Sequence, residues 1–538
     1  MARTLRRLSP IFGAAPLTLL WALPLLLSLA AFLPLLADGQ AFARLLTHPQ
    51  LVPALGLSLF TGAAATVLAL AATLLILAGA DLRRMARALA AAGVALPHLA
   101  FAIGFGFLVM PSGLFARLVV GGETPPGWIA VQDPFGLSLI VALAIKEVPF
   151  LLTAAFGILA RKDAAGLLAQ QARAARSLGH GPGSAFLRVL MPQLLAELRW
   201  PLLIVFVYGA TVVDMALVLG PTQPPTFAVV IWHALNDAEP QQNSMGLQGA
   251  LLLTLTLGLA ITLAATGLRA VRAPWRRVLT AGPSLLPAPR RSASFVGALL
   301  GGLILVSLLL LAVLSFAQRW PYPALAPQFG TGAWETLAAS PAPLALSLAL
   351  ALLTAAAATG LAILWFETQG AARDSWVIGL ALLSLALPQL VVAGGQYRLF
   401  LGLGLNASLT GLFLAHLTPV AAYVLIVLQG PWRGFDARYV AVARGLSTSP
   451  LRTLLQVKLP LLKAPVLTAF AIGFAVSIVQ FVPAQLVAGG RYSTLPIEAV
   501  TLSSGGSRAL TAAFALALAL PPLLVFMGAA LLGRPRWR

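Results

Sequence analysis

The sequence predicts an all-α integral membrane protein of about 12 transmembrane helices, arranged as two parallel six-helix repeats. Three observations predict it. Of the 538 residues, 59% are hydrophobic and 9% charged, far too apolar for a soluble chain of this length. Charge-free runs such as Leu344 to Phe366 and Val296 to Ala317 reach the ~20 residues of helix that cross a ~30 Å hydrocarbon core. Similar motifs recur in the same order in both parts of the chain. Strand-like alternation, the mark of a membrane barrel, is absent.

The spans fall at about 11–36, 52–80, 88–110, 135–160, 200–220, 246–268, 294–317, 343–366, 376–397, 409–429, 464–488 and 509–533. Arg3, Arg6 and Arg7 stand before the first apolar run, as in a signal peptide, but the run continues to Leu36, beyond an h-region of ~7–15 residues. A retained first span is expected. The net charge of +20 comes from 35 Lys and Arg against 15 Asp and Glu. With both termini in the cytoplasm, the basic residues gather in inward segments. These hold Arg83, Arg84 and Arg87; Arg173, Arg176, Arg188 and Arg199; Arg276, Arg277, Arg290 and Arg291; and Arg433, Arg438, Arg444 and Arg452. That is the positive-inside pattern of a multi-pass protein in a lipid bilayer. It argues against a basic nucleic-acid face, and no nucleic-acid partner is expected.

The internal boundary is the segment 271–293, rich in arginine and carrying Pro274, Pro283, Pro287 and Pro289. It is expected to be a cytoplasmic linker. Residues 1–270 form the first repeat, with a core at about 52–268. Residues 294–538 form the second, with a core at about 343–533. Six spans per half return the chain to the same side, so the repeats are parallel, as in a duplication and fusion. Ala95-Leu96-Pro97-His98-Leu99 resembles Ala386-Leu387-Pro388-Gln389-Leu390. Pro97 and Pro388 are expected to kink the third span of each half. The halves diverge at Gly121 to Pro134, an extra outer loop with Pro125, Pro126 and Gly127.

The longest inward loops follow the fourth span of each half. The first holds Ala174-Ala175-Arg176-Ser177-Leu178-Gly179, then Val189 and Met191-Pro192. The second holds Val442-Ala443-Arg444-Gly445-Leu446-Ser447, then Val457 and Leu459-Pro460. One constant register relates them: Arg176 with Arg444, Pro182 with Pro450, Pro192 with Pro460. Alanine-rich sequence favours helix, Gly179 can take the left-handed turn that ends it, and Pro182 and Pro450 suit the first turn of the next. Asp436 can cap the helix of the second loop. Such an element can transmit force from a soluble partner to the membrane helices.

This pattern resembles the EAA loop of binding-protein-dependent ABC importer permeases. Arg173-Ala174-Ala175, Gly179, Val189 and Met191-Pro192 fill its places in the first copy. Ala441-Val442-Ala443, Ser447, Val457 and Leu459-Pro460 fill them in the second. Neither copy has the glutamate, and Ser447 replaces the glycine. The resemblance covers most of both halves and implies the type I importer permease fold in a bacterial inner membrane. It implies two ABC ATPase subunits docked on the loops and a periplasmic or surface substrate-binding protein. Val213-Asp214-Met215 to Gly220-Pro221, and Gln480-Phe481-Val482-Pro483 with Thr494-Leu495-Pro496, resemble fused permeases of the YnjC type and the ferric-iron and thiamine permeases. The solute stays open among thiamine-like, ferric-iron and sulfur compounds.

The lysines Lys146, Lys162, Lys458 and Lys463 stand in no phosphate-cradling glycine loop. The ATPase is therefore expected in trans and the chain itself is expected to be non-catalytic. There is no cysteine, and His48, His98, His180, His233 and His416 have no metal-ligand spacing, so neither metal nor cofactor is expected. A charge at the bilayer centre costs at least ~2.5–3.5 kcal/mol, which singles out Lys146, Glu147 and Asp214. Lys146 and Glu147 point ~100° apart on a helix, so Lys146 is expected to pair with Asp214, as a lock on the bundle or a lining of the path. Gln480 is a further path candidate, with His98, Gln389 and His416 behind it. Val482 takes the place of Asp214 in the second half, so an asymmetric path is expected. A 12-span ion-coupled transporter is the alternative, but it leaves the paired loops unexplained. A membrane-embedded enzyme lacks a catalytic constellation.

Overall fold

The structure is a computed structural model. It describes residues 13–34, 38–79, 86, 89–90, 93–120, 122–160, 162–270, 274, 276–277, 280, 282–446 and 449–534. Among the described residues, 9 helices are long and apolar enough to cross a membrane, or up to 12 if each of three bent pairs counts as one span. The all-α class follows, with one two-stranded pairing among those residues, Ala317–Arg319 against Gln328–Phe329.

In chain order the helices that matter here are α1 (Gly13–Ala30), α2 (Leu51–Ala78), α3 (His98–Val109), α4 (Leu137–Ala160), α5 (Lys162–Ser177) and α6 (Met191–Thr211). They continue as α7 (Asp214–Leu219), α8 (Phe227–Leu235), α9 (Pro240–Ala270) and α10 (Arg290–Ser315). The second half holds α11 (Ala342–Thr368), α12 (Asp374–Ala386), α13 (Gln389–Gly402), α14 (Leu409–Arg433) and α15 (Ala437–Gly445). It ends with α16 (Lys463–Ile478), α17 (Val482–Ala488), α18 (Leu495–Ser503) and α19 (Arg508–Leu532).

Two expectations about continuous spans are corrected. Pro97 and Pro388 do not kink through-going helices; each stands just before a new one, with ψ near 139° and 134°. In the second half the axis turns by 103° between Ala371–Ala386 and Gln389–Gly402. Extended ψ is the conformation a proline readily takes when it opens a new helix. The spans expected at 200–220 and 464–488 also break. Helix α6 ends at Thr211 and Val212 is extended, with ψ 133°. Helix α16 ends at Ile478 and a new helix starts at Val482. Broken helices at membrane depth persist where protein surrounds them.

The chain divides into two compact units, one of residues 40–333 and one of residues 1–39 with 334–538. The units cut across the sequence repeats: α1 belongs with the second repeat's helices and α10 with the first's. Glycine makes both associations close. A Cβ on Gly104 of α3 would lie 2.6 Å from the Ser307 carbonyl of α10, and one on Gly395 of α13 would lie 2.3 Å from the Ser28 carbonyl of α1. Gly104 and Gly395 hold the same position after Pro97 and Pro388. Between apolar helices in lipid, close backbone approach supplies the attraction that the hydrophobic effect does not. Trp21 of α1 also donates its indole N–H to the Thr418 carbonyl at 2.8 Å. Within the unit 40–333, α2 meets α6 through Gly62 and Gly209, where a Cβ on Gly209 would stand 3.2 Å from the Gly62 Cα.

One capping device is built into each unit. Ser58 on α2 accepts the N–H of Phe227 at the start of α8, at 2.8 Å. Ser347 on α11 accepts the N–H of Leu495 at the start of α18, also at 2.8 Å. Both serines are buried. Each satisfies a helix-start donor that has no partner within its own helix.

Candidate functional site

Among the described residues the two EAA-like loops have the same anatomy, in the register read from the sequence. In the first, α5 ends at Ser177, a short helix covers Pro182–Ala185, and a wide π-turn covers Phe186–Leu190 before α6. In the second, α15 ends at Gly445, a short helix covers Pro450–Thr453, and a π-turn covers Leu454–Lys458 before Leu459. Pro182 and Pro450 each open a helix, where the missing N–H costs nothing. Ala175 and Ala443 are both buried, while Leu178 and Leu446 are 71% and 75% exposed. Arg176, two residues before Leu178, is exposed too, as are Ala174 and Val442; Val189 and Val457 are half-buried. Pro192 and Pro460 follow the π-turns near the start of the next helices. Each loop thus exposes a leucine just past the end of its first helix, Leu178 or Leu446.

Gly179 has φ +87°, the left-handed conformation expected there. Ser447 lies outside the described residues, so its turn has no counterpart to compare. Asp436 caps α15, its Oδ1 accepting the Arg438 N–H at 2.9 Å. The Arg438 guanidinium, 2.7 Å from Asp436, holds that carboxyl below the usual carboxylate range.

The loops are anchored differently. In the first, Gln193 of α6 donates to Gln171 of α5 at 2.7 Å. In the second, Lys458 in the π-turn meets Glu367 of α11 at 2.6 Å and lies 4.6 Å from the Trp432 ring. Nearby, Arg433 at the end of α14 grips buried Asp374 with two nitrogens, at 2.7 and 2.8 Å. It also donates to the Phe366 and Gln369 carbonyls, both at 2.9 Å. Trp365 donates to the same carboxylate at 3.2 Å. This planar, doubly bonded pair fastens α11, α12 and α14 together beside the second loop. Sequence reading placed Arg433 among the inward positive charges and missed its role; its partner Asp374 is remote in sequence.

The intramembrane polar residues are partnered otherwise than expected. Lys146 does not reach Asp214. Its ammonium donates to the Gly93 and Leu96 carbonyls, both at 2.6 Å. The reason is Pro97: a proline has no N–H for the carbonyl four residues back, and that carbonyl is Gly93. Lys146 completes the broken end. Glu147 instead meets His98 at 3.2 Å, whose ring stands 5.0 Å from Tyr208. Asp214 occupies the first turn of α7.

In the other unit the equivalent of His98 is Gln389, and it donates to Gln480 at 3.2 Å. His416, three residues before Pro419 as Lys146 is before Pro149, bonds Ser477 at 3.0 Å. Ser477 in turn bonds Thr354 at 2.8 Å. The weaker sequence candidates His98, Gln389 and His416 thus all have side-chain partners, as do Glu147 and Gln480. Where the first unit pairs His98 with Glu147, the other pairs two neutral amides, Gln389 and Gln480.

Over 532 residues, 96% of each chain, the protein is 32% identical to the inner membrane ABC transporter permease protein YnjC of Escherichia coli K12. The chain belongs to the ABC transporter permeases. No protein-family model matches it. Parts of the permease are also similar to the spermidine/putrescine transport system permease protein PotC of Haemophilus influenzae, 27% identical over 28% of this chain and 56% of PotC. A further likeness is to the putrescine transport system permease protein PotI of E. coli K12, 25% identical over 21% of this chain and 42% of PotI. Those two likenesses are part-length, whereas the likeness to YnjC runs through both halves. Family membership favours the importer permease over the ion-coupled transporter.

Proposed function

We propose that this permease forms the solute path of an ATP-driven importer and couples that path to two separate ATPase subunits, one on each inward loop. A secreted binding protein delivers the solute from the other side. The observation that carries the proposal is the repetition of the loop. Two short helices, each followed by a π-turn and each preceded by an exposed leucine, Leu178 or Leu446, stand at matching register. An exposed leucine gains by burial against an apolar cleft on a soluble subunit.

Both termini and both loops lie in the cytoplasm, by the distribution of arginine. The chain hydrolyses no ATP and holds no cofactor; ATP binds to the partner. Motion enters at Leu178 and Leu446 and passes through α5 and α15 and through the π-turns into α6 and α16. These helices end at the breaks beside Asp214 and Gln480. Lys146, Glu147 and Asp214 line or gate the path in one unit, and Gln480 with Gln389 does so in the other. The structural alternative for Lys146, a cap on the carbonyls before Pro97, operates alongside.

The test is reconstitution. The purified permease in lipid nanodiscs is expected to show no ATP hydrolysis and to raise the turnover of the ATPase subunit encoded with it. Hydrolysis by the permease alone, or an ATPase indifferent to it, would contradict the proposal.

A further inference from the structure

The linker between the repeats, which sequence reading took as a bare spacer, is bound to the first loop. The N–H of Gly181 donates to the Ser284 carbonyl at 2.8 Å, and that of Gly183 to the Leu286 carbonyl at 3.0 Å. This alternate-residue spacing is that of a strand ladder. The Ser184 hydroxyl also donates to the Ser284 carbonyl, and Arg188 to the Gly282 carbonyl at 2.6 Å. The loop is shaped for this contact. A Cβ on Gly181 would lie 2.7 Å from the Leu286 carbonyl oxygen, and one on Gly183 would lie 2.3 Å from that of Pro287. Pro283 sits over Gly179, 3.5 Å from where its Cβ would be.

The second loop lacks these openings. In the same register, Ser449 and Leu451 stand where Gly181 and Gly183 do. Ser449 turns its side chain onto its own helix, accepting the Arg452 N–H at 3.2 Å, and Leu451 is exposed. Three glycines at alternate positions, Gly179, Gly181 and Gly183, would leave the first loop the looser of the two. The linker segment is stiffened by Pro283, Pro287 and Pro289, each of which restricts the backbone. A flexible loop is laid against a stiff strap.

We infer that residues 282–287 are a positioning strap, which holds the helix Pro182–Ala185 and the neighbouring Leu178 in the orientation an ATPase subunit meets. The second loop is held by its own side chains and by Lys458 on Glu367. The two ATPase sites of this fused permease are therefore unequal, and only the first depends on the linker. Leu285, 83% exposed, rides on the strap and extends the first site. The inference rests on the proposal that the loops dock ATPase subunits.

The experiment titrates nanodisc-embedded permease with its ATPase subunit and resolves the two binding steps. Gly181→Val with Gly183→Val breaks the clasp from the loop side. Pro283→Gly with Pro287→Gly loosens it from the linker side and leaves the loop sequence intact. Each pair is expected to weaken one binding step about tenfold and leave the other unchanged. Alkylation of Ser284→Cys, half-buried under the loop, is expected to quicken about fivefold in the same variants as the strap opens. Binding equal to the parent's, despite faster alkylation, would overturn the positioning role. Equal weakening of both steps would overturn the inequality. A parent permease that binds no ATPase subunit would overturn the docking proposal itself, a result distinct from either.

Discussion

Replacing Lys146 by methionine removes two contacts of 2.6 Å, to the Gly93 and Leu96 carbonyls. Hydrogen bonds from a charged donor contribute ~1.5–3 kcal/mol each, so the gross loss is about 3–6 kcal/mol. Methionine also removes the cost of holding an ammonium in the membrane, about 2.5–3.5 kcal/mol. The two terms nearly offset, so the single variant is a poor test. The argument about Pro97 gives a better one. If Lys146 serves the carbonyl that Pro97 strands, then Pro97→Ala supplies the missing N–H and Lys146 has less to do. A double-mutant cycle of Lys146→Met and Pro97→Ala is expected to show a coupling of about 1.5–3 kcal/mol, the double variant being more stable than the sum predicts. The assay is unfolding of the four proteins in mixed detergent micelles, with elution profile as the check on folding. Additivity within about 0.5 kcal/mol would refute the assignment of Lys146 as the cap on those carbonyls.

Gly179→Val forces a β-branched residue into a left-handed turn at ~1–2 kcal/mol, and is expected to impair ATPase docking and vesicle uptake more than Ser447→Val while both proteins insert normally; equal or absent effects would argue against the loops as the coupling element. Arg433→Ala strands buried Asp374 and is expected to destabilise the permease by about 3–5 kcal/mol, read as thermal aggregation in detergent, whereas Arg438→Ala, at an exposed pair, is expected to leave the transition where it was. The protein has no cysteine, so single cysteines report topology cleanly: those at His180 and Ser449 are expected to label only from the cytoplasm, and those at Glu123 and Glu239 only from outside.

Much of the membrane architecture was legible because hydropathy is a local signal. The apolar runs at 343–366 and 409–429 reappear as α11 and α14 with their ends moved by a few residues. The loops were legible in finer detail, since duplication prints the same pattern twice. Even the π-turns fall in the register that Pro182 and Pro450 fix. What sequence did not show depends on remote partners or on backbone shape. Val212 and Val479 interrupt their helices inside runs apolar enough to read as continuous spans. The pairing of α1 with α13 and of α10 with α3 rests on Gly104 and Gly395, each an ordinary glycine until the crossing helix is known. Lys146 was legible as a costly charge, but a search for an opposite charge led to Asp214, when the acceptors were carbonyls. The clue was present in Pro97, read only as a kink. The alternate glycines of the first loop were likewise visible, and the linker that needs them lies about a hundred residues away.

The central claim is that this permease meets an ATPase at both inward loops, and cross-linking tests it most directly. Single cysteines at Leu178 and Leu446, 71% and 75% exposed, are placed in the cysteine-free chain, with Glu239→Cys as the control on the opposite face. The assembled transporter is then treated with a short thiol-to-amine reagent. Both loop cysteines are expected to capture the ATPase subunit, in a yield that changes when ATP is bound, and the control is expected to capture none. Failure of both loop cysteines to capture it, in a complex that still transports solute, would contradict the account.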